Sequence, residues 1–113
     1  PYGYEFVPGV KAIRRYSKAS SRQRFDCLAL LDCSDLKRSG ETYLINTRNK
    51  PVINIDHHVS NSYFGTVNWV DPDASCASEM VYRLYKKMGS PEFAERFLKR
   101  ARQLRKAAGA SGA

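Results

Sequence analysis

The sequence predicts an α/β domain built on a mostly parallel open sheet, and three observations predict it. Two nearly continuous apolar runs, FDCLALL (Phe25 to Leu31) and PVINI (Pro51 to Ile55), each stop at an aspartate, Asp32 and Asp56. Runs without polar alternation suit strands covered on both faces, as in parallel sheets. The third observation is the segment DPDASCASEMVYRLYKKMG, whose apolar residues recur at helical spacing. The 113 residues suffice for one small domain with its own core.

In chain order, YGYEFV (Tyr2 to Val7) has strand composition and ends at Pro8 and Gly9. VKAIRRYSK sets Val10, Ile13 and Tyr16 at helical spacing and predicts a short amphipathic helix. SKASSRQR has no apolar anchor and predicts a loop or a frayed helix end. After the strand at Phe25 to Leu31, CSDLKRSG predicts a polar loop, with Asp35 capping its turn. FGTVNWV (Phe64 to Val70) predicts a weaker strand at an edge, or an extended connection. In the main helix, Ala77, Met80, Val81, Leu84, Tyr85 and Met88 form one apolar face. Asp73 or Ser75 is the expected N-cap, and Ser78 stands where a capping box from Ser75 would need Glu or Gln. Lys86 and Lys87 favour the last turn, and Gly89 stops the helix. The last segment places Phe93, Phe97, Leu98, Ala101 and Leu104 along a basic amphipathic helix.

Composition excludes several classes. No apolar run approaches the ~20 residues that a bilayer span requires, and no secretory signal opens the chain. Cys27, Cys33 and Cys76 form no paired motif; Cys27 and Cys76 are expected as small buried residues, and a cytoplasmic location follows. The net charge is +8, with six Lys/Arg against two Asp/Glu from Pro91 onward. Such a balance attracts phosphates, and it equally suits a solvated helix face.

Asp56, His57 and His58 follow PVINI directly, and these are the only histidines. If the two strands are parallel neighbours, Asp32 and Asp56 leave the sheet at one carboxyl edge, where open α/β sheets bind ligands. Carboxylate and imidazole together suit Mn, Fe, Zn or Mg. On residues alone, a metal site and a chance tripeptide both remain open.

FDCLALLDCSDLKRSG followed by PVINIDHHVSNSYFGTVNWVDPDASCASEMVYRLYKKMG resembles the DHH phosphoesterase family, in its oligoribonuclease and 3′-phosphoadenosine-5′-phosphate phosphatase subgroup. The resemblance covers most of Tyr2 to Gly89. It implies part of a doubly wound sheet and a two-ion centre, usually manganese with magnesium as the alternative. It also implies hydrolysis of phosphoester bonds in short oligoribonucleotides or nucleotide phosphates by metal-activated water. By position, Asp32 and His57 resemble metal ligands. His58 and Asp56 resemble catalytic residues, His58 contacting the substrate phosphate or helping to shape the site and Asp56 partly orienting its neighbours by hydrogen bonding. Arg38 and Asn61 resemble substrate contacts, with solvent-exposed roles equally open. The implied partner is a nucleotide or a short RNA or DNA, with no membrane.

The chain departs from that pattern. Nothing like the family's His…Asp-x-Asp strand precedes Tyr2, and no later motif aspartate follows the helix. Residues 1–89 therefore read as a partial domain and residues 90–113 as a basic helical tail. GSPEF (Gly89 to Phe93) resembles a linker translation, and a frameshifted or divergent end fits as well. The expectation is a weakly active or inactive chain. The alternatives are a basic nucleic-acid or nucleotide-binding module without catalysis, and self-association through an exposed sheet edge and the final helix.

Overall fold

The computed structural model describes residues 3–17, 20, 22–92, 95 and 99. Its centre is a three-stranded parallel sheet in the order β1 (Leu28–Leu31), β2 (Val52–Asp56), β3 (Val67–Val70). The register pairs Leu31 with Ile55 and Ile55 with Trp69, so all three strands end at one edge. This is the parallel α/β arrangement that the apolar runs predict. Helix α1 (Ala77–Met88) follows β3 and packs against β2.

The core is small. Ile55, Ala74 and Met80 are buried together, and Ile53, Trp69 and Leu84 pack around them. Met80 is fully buried, whereas Val81, Tyr85 and Met88, from the same predicted stripe, lie open. Of the stripe, Ala77, Met80 and Leu84 are the residues that turn inward. Leu31 is also exposed, and β1 has no partner on its outer side among the described residues. The run at Phe25 to Leu31 is therefore covered less completely than its composition predicts.

Several local expectations are corrected. The segment around Tyr4, Phe6 and Val7 forms turns rather than a strand, and its apolar side chains face solvent. The predicted helix at Val10 shrinks to one 3₁₀ turn, Val10–Ala12, ending in extended backbone at exposed Ile13. Ile13 covers no apolar surface, Val10 and Tyr16 are only partly buried, and a helix this short does not persist on propensity. Residues Leu36–Ile45 form 3₁₀ turns broken at Gly40, whose φ of 60° interrupts the run. Asp35 caps their start by accepting from the Lys37 N–H at 2.7 Å, as its spacing predicts. Cys27 and Cys76 are exposed, and Cys33 is the buried cysteine. The apolar stripe of the final helix lies outside the described residues. No helix among them is long and apolar enough to cross a membrane.

The start of α1 is held in an unpredicted way. Cys76 occupies the N-cap position, and neither Asp73 nor Ser75 caps the helix. Instead Glu79 turns back one residue further. It accepts from the Ser75 N–H at 2.8 Å and the Ser75 hydroxyl at 2.7 Å. This is one half of a capping box displaced by a residue. Arg83 joins Glu79 and donates to Asp71 at 2.9 Å, tying the helix to the end of β3. The Ser75 N–H lowers the Glu79 carboxyl below its ordinary value, aided by the Ser75 hydroxyl and, after the opposing cost of desolvation, by Arg83. A folded-state pKa below the unfolded one stabilises the fold above the unfolded value, about 4.3, and the gain is lost as pH falls through the folded value. The melting temperatures of the wild type and Glu79→Gln should therefore differ at neutral pH and converge under acid.

Gly65 precedes β3 where the chain turns tightly. A Cβ there would stand 2.7 Å from the Val67 carbonyl oxygen and 3.1 Å from that of Val52. Both are backbone atoms of the sheet and cannot swing away. Gly65→Ala should cost about 1–3 kcal/mol, as overpacked sites do, read as a shift in the denaturation midpoint.

Candidate metal centre

The strand ends build the site. Asp32 follows β1, and its N–H donates to the Ile55 carbonyl at 3.0 Å, extending the ladder by one residue. Its φ of 57° places a non-glycine residue in the left-handed region, an arrangement that persists only where the surroundings enforce it. The turn leaves the carboxylate open to solvent, with the side chain 60% exposed. Asp56 ends β2 beside it, and His57 and His58 follow.

The two imidazoles are held differently. His57 Nδ1 lies 3.3 Å from the Ala74 carbonyl oxygen. A carbonyl only accepts, so Nδ1 carries the proton and Nε2 presents its lone pair. Nε2 is 3.4 Å from Asp32 Oδ1. His58 Nδ1 donates to Asp56 Oδ1 at 2.6 Å, and the same nitrogen lies 3.9 Å from Asp32 Oδ1. The two ring centroids are 4.7 Å apart.

Asp32, His57 and His58 each offer a ligand atom, and these atoms all lie within 4.8 Å of one another. Ligands that bond a divalent ion at about 2.0–2.2 Å sit roughly 3.0–3.5 Å apart when adjacent. The Asp32–His57 pair already matches that spacing, and one carboxylate with two imidazoles is a donor set that borderline divalent ions accept. The backing of each histidine by a carbonyl or a carboxylate is the usual support for a ligating imidazole.

Behind the cluster lies a buried polar knot. Asn61 Nδ2 donates to Asp56 Oδ2 at 2.5 Å and to Asn54 Oδ1 at 2.8 Å, with a longer contact of 3.3 Å to the Cys33 carbonyl. Two hydrogens are shared among three acceptors. Asn54 Nδ2 donates to the same carbonyl at 2.9 Å. Asn54 and Asp56 are fully buried. Burial pushes the Asp56 carboxyl up, but the hydrogen bonds from Asn61, His58 and the His57 backbone outweigh it and hold the group below its ordinary value. Asp56 is thus a buried carboxylate that fixes the orientation of His58.

The structure brings Asp32, Asp56, His57 and His58 together at one edge. Asn61 is buried behind them with its amide engaged in the knot. Arg38 is exposed, donates to Ser34 Oγ at 3.3 Å, and lines a hollow with Asp32. Sequence reasoning missed Asn54, although a lone amide inside an apolar strand was a readable signal. It also missed the Ala74 carbonyl, which as backbone has no sequence signature.

A family model described as "DHH family, N-terminal domain" matches residues 4–107, which extends past Gly89. The crystal structure of an exopolyphosphatase-related protein from Bacteroides fragilis is similar, with a TM-score of 0.69 and 29% identity over 79% of this chain. The match spans 28% of that protein's length.

Proposed function

The chain belongs to the DHH family, and we propose that it carries a metal-dependent phosphoesterase site, centred on Asp32, His57 and His58. The observation that carries this reading is that these three side chains place their ligand atoms within 4.8 Å at the carboxyl edge of the sheet. Asp32 and His57 would hold a divalent ion, manganese in this reading, and His58 either joins them or meets the substrate phosphate. A bound divalent ion supplies a nucleophile near neutral pH and neutralises charge on phosphate oxygens. The Ala74 carbonyl keeps His57 in the tautomer that leaves Nε2 free, and Asp56 holds the His58 ring by Nδ1, which lies 3.9 Å from Asp32 Oδ1. Arg38, exposed near Asp32, can pair with a substrate phosphate.

The finer reading places the chain in the oligoribonuclease and nucleotide-phosphatase subgroup, acting on short oligoribonucleotides or nucleotide phosphates. Three unpaired thiols suit a reducing cytoplasm. Three protein ligands support one ion rather than two, so slow turnover is expected. The relative's description as exopolyphosphatase-related supports a phosphate-bearing substrate and leaves its kind to experiment. A second reading, nucleic-acid binding without catalysis, draws on the +8 charge.

The test is manganese-dependent hydrolysis of a short oligoribonucleotide by the purified chain, compared with His57→Ala. Slow cleavage that requires the metal and vanishes in the variant supports the phosphoesterase. Oligoribonucleotide binding that is indifferent to metal and to His57, without cleavage, supports the binding module instead.

A further inference from the structure

A hollow bordered by Asp32 and a second hollow further from the cluster share one side chain. The first, of about 380 Å³, is lined by Asp32, Cys33, Arg38, Ser39 and Thr42 among others. The second, of about 410 Å³, is lined by Arg14, Arg15, Tyr16, Ser20, Gln23 and Thr42 among others. Thr42 borders both, so the space next to Asp32 adjoins a space flanked by two consecutive arginines. Among the described residues, neither Arg14 nor Arg15 is paired with a carboxylate. Their charge is free for a ligand.

The chemistry of the second hollow is that of a phosphate subsite. Guanidinium groups form paired hydrogen bonds to phosphate oxygens. The hydroxyls of Ser20 and Thr42 can add donors, and the Gln23 amide can meet a base edge. Tyr16, half-buried in the same wall, adds an aromatic face on which a base can stack. Inorganic polyphosphate has no base to use that ring or that amide. The combination therefore favours a nucleic-acid strand.

We propose that the Arg14–Arg15 hollow is a second phosphate subsite. It holds one phosphoryl group of a short single-stranded oligonucleotide while another group of the same strand lies at the Asp32 edge. The proposal rests on the phosphoesterase reading and specifies its substrate as one with linked phosphates. A mononucleotide carries one phosphoryl group and cannot bridge the two hollows. The subsite thus strengthens binding of a strand and leaves mononucleotide binding at the Asp32 edge unchanged.

The experiment measures equilibrium binding of a labelled short oligoadenylate by fluorescence anisotropy, using the full chain in chelator-treated buffer. Adenosine monophosphate and inorganic polyphosphate serve as parallel ligands. Arg14→Ala/Arg15→Ala should weaken oligoadenylate binding about tenfold, and the salt dependence should fall by roughly one to two counterions. Monophosphate binding should not change. Arg14→Lys/Arg15→Lys, which keeps the charge, should retain most of the affinity. Lys86→Ala/Lys87→Ala, which removes equal charge from the last turn of α1, should have little effect. Far-UV circular dichroism confirms that each variant is folded. Equal losses in the two alanine pairs would show a net-charge effect and overturn the subsite. Unchanged oligoadenylate binding in Arg14→Ala/Arg15→Ala, or an equal loss for the monophosphate, would do the same. A loss seen with polyphosphate alone would overturn the oligonucleotide assignment. Binding without metal involves no turnover, so a failed subsite and a failed hydrolase are told apart.

Discussion

Asp56→Ala is expected to destabilise the fold by about 3 kcal/mol, the scale of leaving buried donors without acceptors. Asp56 is fully buried and accepts from Asn61 Nδ2 and His58 Nδ1 at once. Truncation strands both donors and leaves a void beneath the site. Asp56→Asn keeps the volume, yet its own NH₂ must face either the Asn61 amide or the His58 N–H, so it too should destabilise. Chemical denaturation reads the loss as a lower midpoint. The same change frees the His58 ring, and metal affinity should fall about 10–100-fold, as it does when a ligand's supporting hydrogen bond is removed. A denaturation midpoint equal to the wild type would show that the buried knot contributes nothing.

His57→Ala should have the opposite profile. The His57 side chain is 26% exposed and makes one hydrogen bond at 3.3 Å to a carbonyl that solvent can replace. The stability change should stay below about 1 kcal/mol. Divalent-ion binding should be lost, because the variant removes a ligand rather than its support and leaves only Asp32 and His58. Isothermal titration with manganese reads that loss directly. The two substitutions, one residue apart, therefore separate holding the site together from holding the ion.

The sheet was legible because its strands carry their own signal. FDCLALL and PVINI contain the apolar residues that β1 and β2 place in the sheet, and both end where an aspartate begins. The parallel register then puts Asp32 and Asp56 abreast, as two apolar strand ends predict. The N-terminal elements were not legible. Tyr4, Phe6 and Ile13 have strand and helix composition but find nothing to pack against, and propensity without burial does not hold an element. The helix start was misread for a related reason. Glu79 reaches Ser75 rather than the N-cap residue, a displacement that no spacing rule encodes. Within the site, Asp32, Asp56, His57 and His58 could be read from their positions after strands. Asn54, Asn61 and the Ala74 carbonyl act through contacts that only the folded chain creates.

The cluster is tested most directly by titrating manganese into the purified chain and following the free-ion electron paramagnetic resonance signal. The expected result is one bound ion per chain, lost in Asp32→Ala and in His57→Ala and retained in Asp35→Ala, whose carboxylate caps a turn instead. An ion that still binds after both Asp32 and His57 are replaced, or a wild-type chain that binds none, would contradict the metal centre.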